Sequence, residues 1–123
     1  MKNEKMIINS SALDQYIELF GSEEGAEFII EIIDTFIVDA PKNISLLFRS
    51  MTENDFVTFQ RAAHTLKTGS AIVGATMLAE NFLNLEEAGA EGNLTSKGSL
   101  VEKCKSDFQI LTAELEKKKS ALL

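Results

Sequence analysis

His64 is the only histidine in the 123-residue chain, and the stretch around it, Ala62 to Ala75, is rich in small residues. Lys67 follows one helical step later, and Thr68, Gly69, Ser70 and Ala71 crowd the next turn, so nothing bulky and polar shields the imidazole. Metal binding in a helical bundle needs paired Glu-x-x-His motifs or several His and Cys ligands, which one histidine and the single Cys104 do not supply. A serine or cysteine nucleophile would need His64 as its base, yet Ser70 falls on the core side of its helix and Cys104 reads as a buried apolar residue. Neither G-x-x-x-x-G-K-[ST] nor a G-x-G-x-x-G after a strand occurs, so an ATP site of those kinds is absent.

What remains is His64 as the nucleophile itself. A neutral imidazole attacks phosphorus through one nitrogen when the other keeps its proton and is held by an acceptor. Glu86 is a candidate acceptor, and Lys67, at i+3, is placed to offset the charge of phosphoryl oxygens. The same residues also have a plainer reading: an inert exposed histidine, a solvated lysine, and a surface pair of Glu86 with Glu87.

The elements that must position these groups read as helices. Leu13, Tyr16, Ile17 and Phe20 recur at helical spacing over Ala12 to Phe20, with Ser11 and Asp14 as a capping box and Gly21 as a stop. Ser22 is expected to cap a second helix, whose first turn carries Glu23 and Glu24. Its apolar stripe runs Ile30, Ile33, Ile37, Ala40, Ile44, Leu47, Met51, widened by Ile29, Ile32, Phe36 and Phe48. Pro41 lies inside the stripe without changing its phase, which predicts a kink or brief break. Asn54 or Asp55 can cap a third helix, whose buried stripe is Phe56, Phe59, Ala63, Leu66, Ser70 and Val73. At roughly 100° per residue His64 falls about 130° from the middle of that stripe and faces solvent. Val57, Gln60, Thr68 and Ala71 share its flank, with Arg61 further round, and together they form a candidate docking surface for a protein partner. Ser70 points inward, where its hydroxyl can bond the Leu66 carbonyl.

Thr76 opens a fourth helix with Leu78, Phe82 and Leu85 inward and Glu86 on the flank; Gly89, Gly92, Asn93 and Gly98 mark a loop. Val101, Cys104, Phe108, Leu111, Leu115 and Leu122 give a last helix its stripe.

Composition narrows the function classes. Apolar residues are 45% and charged residues 25%, values of a folded globular chain, and 123 residues suffice for one domain with a real core. A net charge of -7 with no basic face argues against nucleic acid. The Met6 to Ile8 run is far too short for a signal peptide, and Phe28 to Val38, interrupted by Glu31 and Asp34, is too short to span a bilayer, so no membrane association is expected. A lone cysteine gives no reason to invoke an oxidising compartment, which leaves the cytoplasm as the expected location. The start at Met1 and the lysine-rich closing helix favour a whole protein over a piece of a longer kinase.

Residues Ala63 to Ala75, A-H-T-L-K-T-G-S-A-I-V-G-A, resemble the signature of histidine-containing phosphotransfer (HPt) domains, H-x-L-K-G-[SA]-[SA], three residues, then G. His64, Leu66, Lys67, Ser70 and Gly74 fall in place, Leu85 and Glu86 match the L-E of the next helix, and Phe36 to Pro41 is similar to the family's second helix. The resemblance spans about residues 11 to 122. It implies that His64 accepts a phosphoryl group from a receiver-domain aspartyl phosphate and passes it to another receiver aspartate, with Lys67 as stabiliser and Glu86 bonded to the ring. The implied partners are response-regulator receiver domains and a hybrid sensor histidine kinase. The chain would need no cofactor, Mg2+ belonging to the receiver, and no kinase activity of its own. One departure is Thr68, where the family often has glycine, which is expected to narrow partner choice. The expected architecture is all-α: one domain over residues 1–123, monomeric, an antiparallel four-helix bundle with an additional short N-terminal helix capping one end. A phosphorylation-independent helical adaptor docking through the same face is the alternative, and a hydrolase or metalloenzyme would need a second catalytic group.

Overall fold

The structure is a computed structural model describing residues 8–123, and Met6 and Ile7 of the N-terminal apolar run lie outside it. Five helices follow one another: α1 (Ser11–Phe20), α2 (Ser22–Glu53), α3 (Phe56–Ile72), α4 (Thr76–Glu91) and α5 (Gly98–Leu122). The last four form an antiparallel bundle in which α2 packs on α3 and α5, and α4 on α3 and α5, while α1 lies against α2. Short connections between consecutive helices leave little choice but antiparallel neighbours. Phe59, Leu66, Phe82, Leu85 and Leu111 are almost fully buried where the helices meet. Cys104 is buried with them, and burial pushes its thiol pKa up to about 12.

Several ends are built differently from the sequence reading. The capping box of Ser11 and Asp14 does not form. Asn9 supplies the acceptor instead, its Oδ1 receiving the Ser11 N–H at 3.1 Å and the Ser11 hydroxyl at 2.8 Å. Ser22 is the first residue of α2 rather than its cap, because Gly21, at φ 90°, both closes α1 and opens α2 and makes no side-chain bond. At the α2–α3 junction the alternatives separate by backbone shape. Asn54 takes the left-handed conformation that ends α2, and Asp55 accepts the Thr58 N–H at 3.2 Å to cap α3. The carboxyl of Asp55 is held below its usual range first by its bonds to Thr58.

α2 continues through Pro41 without a break. Its buried line in the first half is Ile29, Ile33, Phe36 and Ala40, so Ile33 and Ala40 are buried as expected while Ile30 and Ile37 are half-buried flanks of a helix that packs against α1, α3 and α5. The expected loop shrinks to the few residues between α4 and α5. Gly98 begins α5, and Gly89 is a buried residue of α4, where a Cβ would lie 3.1 Å from the Gln60 backbone. Ser70 is inward as expected, but its hydroxyl makes no bond to the Leu66 carbonyl.

α1 closes the end of the bundle at which α2 starts, α3 turns into α4, and α5 finishes. The Asn9 N–H donates to the Gly74 carbonyl at 2.8 Å, Lys118 of α5 meets Asp14 at 2.6 Å, and a Cβ on Gly25 would sit 2.5 Å from the Tyr16 carbonyl oxygen. Gly25 is therefore the residue that lets α1 and α2 touch backbone to backbone.

Candidate functional site

The register of α3 against α4 decides what His64 can reach. A three-residue turn, Val73 to Ala75, joins the two helices, and the bare Gly89 admits the Gln60 backbone, so the pair runs antiparallel at close range. Gln60 opposite Gly89 places the turn carrying His64 opposite the turn carrying Glu86. Ala62, Ala63 and Ala88, all buried and small, keep the helices close along this contact.

In this register Glu86 holds two residues of α3 at once. Its Oε2 lies 2.9 Å from His64 Nδ1, and its Oε1 lies 2.8 Å from Lys67 Nζ. The second contact is an ion pair rather than a well-directed hydrogen bond, since Oε1 has no partner of hydrogen-bond geometry. The Glu86 side chain is 18% exposed and that of His64 57%, so the carboxylate is sheltered and the ring is not. The Lys67 ammonium, opposed by desolvation and helped by His64, holds the Glu86 carboxyl below its ordinary value.

An ionised carboxylate can only accept, so the Nδ1 that meets it carries the ring proton. In the neutral ring Nε2 then keeps its lone pair, on a side chain more than half exposed to solvent. One ring nitrogen is thus held by a carboxylate and the other is left without a partner, with an ammonium on the next turn, a set that suits a nucleophilic role for the free nitrogen. Among the described residues no three His, Cys, Asp or Glu side chains cluster as a metal site, and no helix is long and apolar enough to cross a membrane.

Of the docking residues inferred from helical phase, Val57, Arg61, Thr68 and Ala71 are exposed on α3 and Gln60 is half-buried. Thr68 is exposed and lines an open groove of about 630 Å³ that His64 also borders, between α2 and α3. Val57, 63% exposed, Gln60, Arg61 and Ala71 do not line it. Gln60 turns its backbone to α4, and the Arg61 carbonyl accepts the Thr65 hydroxyl. Sequence reasoning missed the other wall of the groove, to which α2 contributes Phe28, Ile32, Thr35 and Asp39. The signal was present in the extra apolar positions, Ile32 and Phe36, that widen the α2 stripe beyond one neighbour's needs.

No curated protein sequence matches this chain. The crystal structure of histidine-containing phosphotransfer protein B (HptB) from Pseudomonas aeruginosa PAO1 is similar in fold, with a TM-score of 0.81 at 23% sequence identity, covering 96% of this chain and 98% of that one. The family model described as Hpt domain matches residues 31–121, including both helices that build the His64 and Glu86 contact and most of the chain, so this protein belongs to the Hpt domain family.

Proposed function

We propose that this protein is a phosphoryl carrier of a multistep two-component phosphorelay, in which His64 takes the group from a receiver-domain aspartyl phosphate and gives it to the aspartate of another receiver. The observation that carries the reading is the 2.9 Å bond between His64 Nδ1 and Glu86, with the other ring nitrogen left free on an exposed ring. In the forward step Nε2 forms a bond to phosphorus while the phosphorus–oxygen bond to the aspartate breaks, and the electron pair leaves with the regenerated carboxylate. No proton has to move, because Nδ1 keeps its hydrogen throughout. The ring becomes cationic on phosphorylation, and the Glu86 carboxylate at Nδ1 offsets that charge. Lys67 lies one helical step away and would balance the phosphoryl oxygens. Transfer to the second receiver is the same step reversed.

The chain is a carrier and has no kinase activity alone. Its direct partners are response-regulator receiver domains, supplied with phosphoryl groups by a hybrid sensor histidine kinase, and Mg2+ belongs to the receiver. We place it in the cytoplasm as a monomer.

The test is incubation with a phosphorylated receiver domain. The expected product is an acid-labile, alkali-stable label on the parent that His64→Gln does not acquire. A label that survives His64→Gln refutes the assignment. Receiver binding by His64→Gln with no label in the parent selects the adaptor instead.

A further inference from the structure

His64 stands between two neighbours on its own helix that the fold sends to opposite sides. At about 100° per residue, Lys67 falls about 60° to one side of His64 and Thr68 about 40° to the other. Lys67 lies on the α4 side, where its ammonium meets Glu86 at 2.8 Å. Thr68 lies on the α2 side, exposed, and lines the groove that His64 also borders, whereas Lys67 does not line it. The two nitrogens of an imidazole look out from opposite sides of the ring. Anchoring Nδ1 to Glu86 at 2.9 Å therefore turns Nε2 away from α4, and with it from Glu86 and Lys67. A group carried on Nε2 comes to lie on the side where Thr68 is.

Other directed donors are scarce on that side. The Thr65 hydroxyl donates to the Arg61 carbonyl at 3.1 Å, and Asn43, across the groove on α2, turns its amide to the Asp39 carbonyl at 3.4 Å. α2 and α3 run antiparallel with Phe36 against Gly69, so Thr35 lies beyond Phe36, on the side away from His64. Glu31 and Asp39 also line the groove, and an ionised carboxylate accepts without donating. Thr68 differs from these. The hydroxyls of Thr52, Thr58 and Thr65 bond within their own helix or its cap, while that of Thr68 bonds to no described residue. Cα–Cβ bonds on a helix tilt toward its N-terminus, so Thr68 leans back over the turn that carries His64, with Cβ atoms at i and i+4 about 5–6 Å apart.

Resting on the reading of His64 as phosphoacceptor, we infer that Thr68 is a ligand of the phosphoryl group, its hydroxyl donating a hydrogen bond to a phosphoryl oxygen as the group arrives at Nε2 and while it stays there. The hydroxyl keeps its proton, so no bond is made or broken beyond those of the transfer itself. A hydrogen bond to an ionised oxygen is about twice as strong as a neutral one, and its direction orients the group that accepts it. Lys67 and Thr68 thus act differently. The ammonium, tied to Glu86, works by charge from the Nδ1 side, and the hydroxyl works by contact from the Nε2 side. The departure from the motif at this position adds a donor that glycine cannot supply.

The test uses phosphoramidate as donor, a small molecule that phosphorylates imidazole without a receiver domain, so that docking does not enter. Its nitrogen–phosphorus bond breaks, ammonia leaves with the electron pair, and Nε2 takes the phosphoryl group. Phosphorus magnetic resonance follows the label, and His64→Gln, which should take none, fixes where it sits. Thr68→Val keeps the shape of the side chain and removes the hydroxyl; Thr68→Ala removes hydroxyl and bulk together. Both should be labelled about five- to tenfold more slowly than the parent, with the phosphohistidine resonance displaced. Thr68→Ser, which keeps the donor, should restore most of the rate and the parent resonance. Melting curves check that all three variants are folded. Thr68→Val within about twofold of the parent, Thr68→Ser as slow as Thr68→Val, or Thr68→Ala faster than the parent overturns the inference, the last because it leaves Thr68 only its bulk. The two readings fail separately. A labelled parent indifferent to the hydroxyl removes this role of Thr68 and leaves the carrier. A parent that takes no label from phosphoramidate also overturns the inference, and labelling by a phosphorylated receiver then decides whether the carrier role falls with it.

Discussion

Replacing Glu86 by glutamine preserves the shape of the side chain and removes its charge, and the distances allow the outcome to be worked through. In the parent, Oε2 receives the His64 Nδ1 proton at 2.9 Å and Oε1 faces the Lys67 ammonium at 2.8 Å. A hydrogen bond to a charged group contributes about 1.5–3 kcal/mol, against about 0.5–1.5 kcal/mol for a neutral one. Glutamine also offers an NH2 where the parent offers only acceptors, so the ring is no longer obliged to keep its proton on Nδ1. A net loss of about 1–1.5 kcal/mol in the transfer step lowers its rate about five- to tenfold. Single-turnover transfer from a phosphorylated receiver measures that rate. Nitrogen magnetic resonance reads the cause directly, because His64 is the sole histidine and its two ring nitrogens are the only imidazole signals in the protein. The parent should show a protonated Nδ1 and a bare Nε2, and Glu86→Gln a mixture of both tautomers. A rate within about twofold of the parent, together with unchanged ring signals, would refute the role given to this carboxylate.

Three further outcomes follow from the same structure. The Glu86 carboxyl is held below its ordinary value of 4.5 in the folded protein, chiefly by Lys67, so its contribution to stability is present above that value and lost as pH falls through the depressed one. Acid unfolding followed by circular dichroism should therefore show a loss in the parent, below about pH 4.5, that Glu86→Gln lacks. Gly25→Ala places a methyl 2.5 Å from the Tyr16 carbonyl and 2.7 Å from the Ile17 Cα, both backbone atoms that cannot swing away. It should cost about 1–3 kcal/mol in denaturant unfolding by forcing α1 off α2. Cys104, buried and with its thiol pushed up to about 12, should resist alkylation in the native protein and react only once denaturant unfolds the chain.

Much of this architecture was legible in the sequence because helical phase is a long-range signal. The stripe from Phe59 to Val73 fixed which side of α3 is buried, and with it the exposure of His64. Glu86 was legible as a flank residue of the next helix, although its contact with His64 depends on the register of α3 against α4. That register is set by the close approach of Gly89 to Gln60, where glycine read as a loop marker turned out to be a packing device. Single-residue capping choices were the least legible, since Asn9, Ser11 and Ser22 are all competent caps and the surrounding chain selects among them. The groove was hidden for a different reason. It belongs to neither α2 nor α3 alone, and the periodicity of one helix does not show which part of its neighbour stands opposite.

His64 lies at the middle of the 17-residue α3, and Lys67 and Glu86 also sit inside helices rather than on loops. Reactive groups on loops can be lost by local opening while the rest of a protein stays folded. Here the backbone beneath the imidazole is hydrogen-bonded within α3, whose opposite face is buried through Phe59, Ala63, Leu66 and Ser70, so displacing the site means pulling that helix out of the bundle. Phosphate acceptance and native structure should consequently disappear together on heating, over one transition, with no temperature at which a folded protein has lost its site.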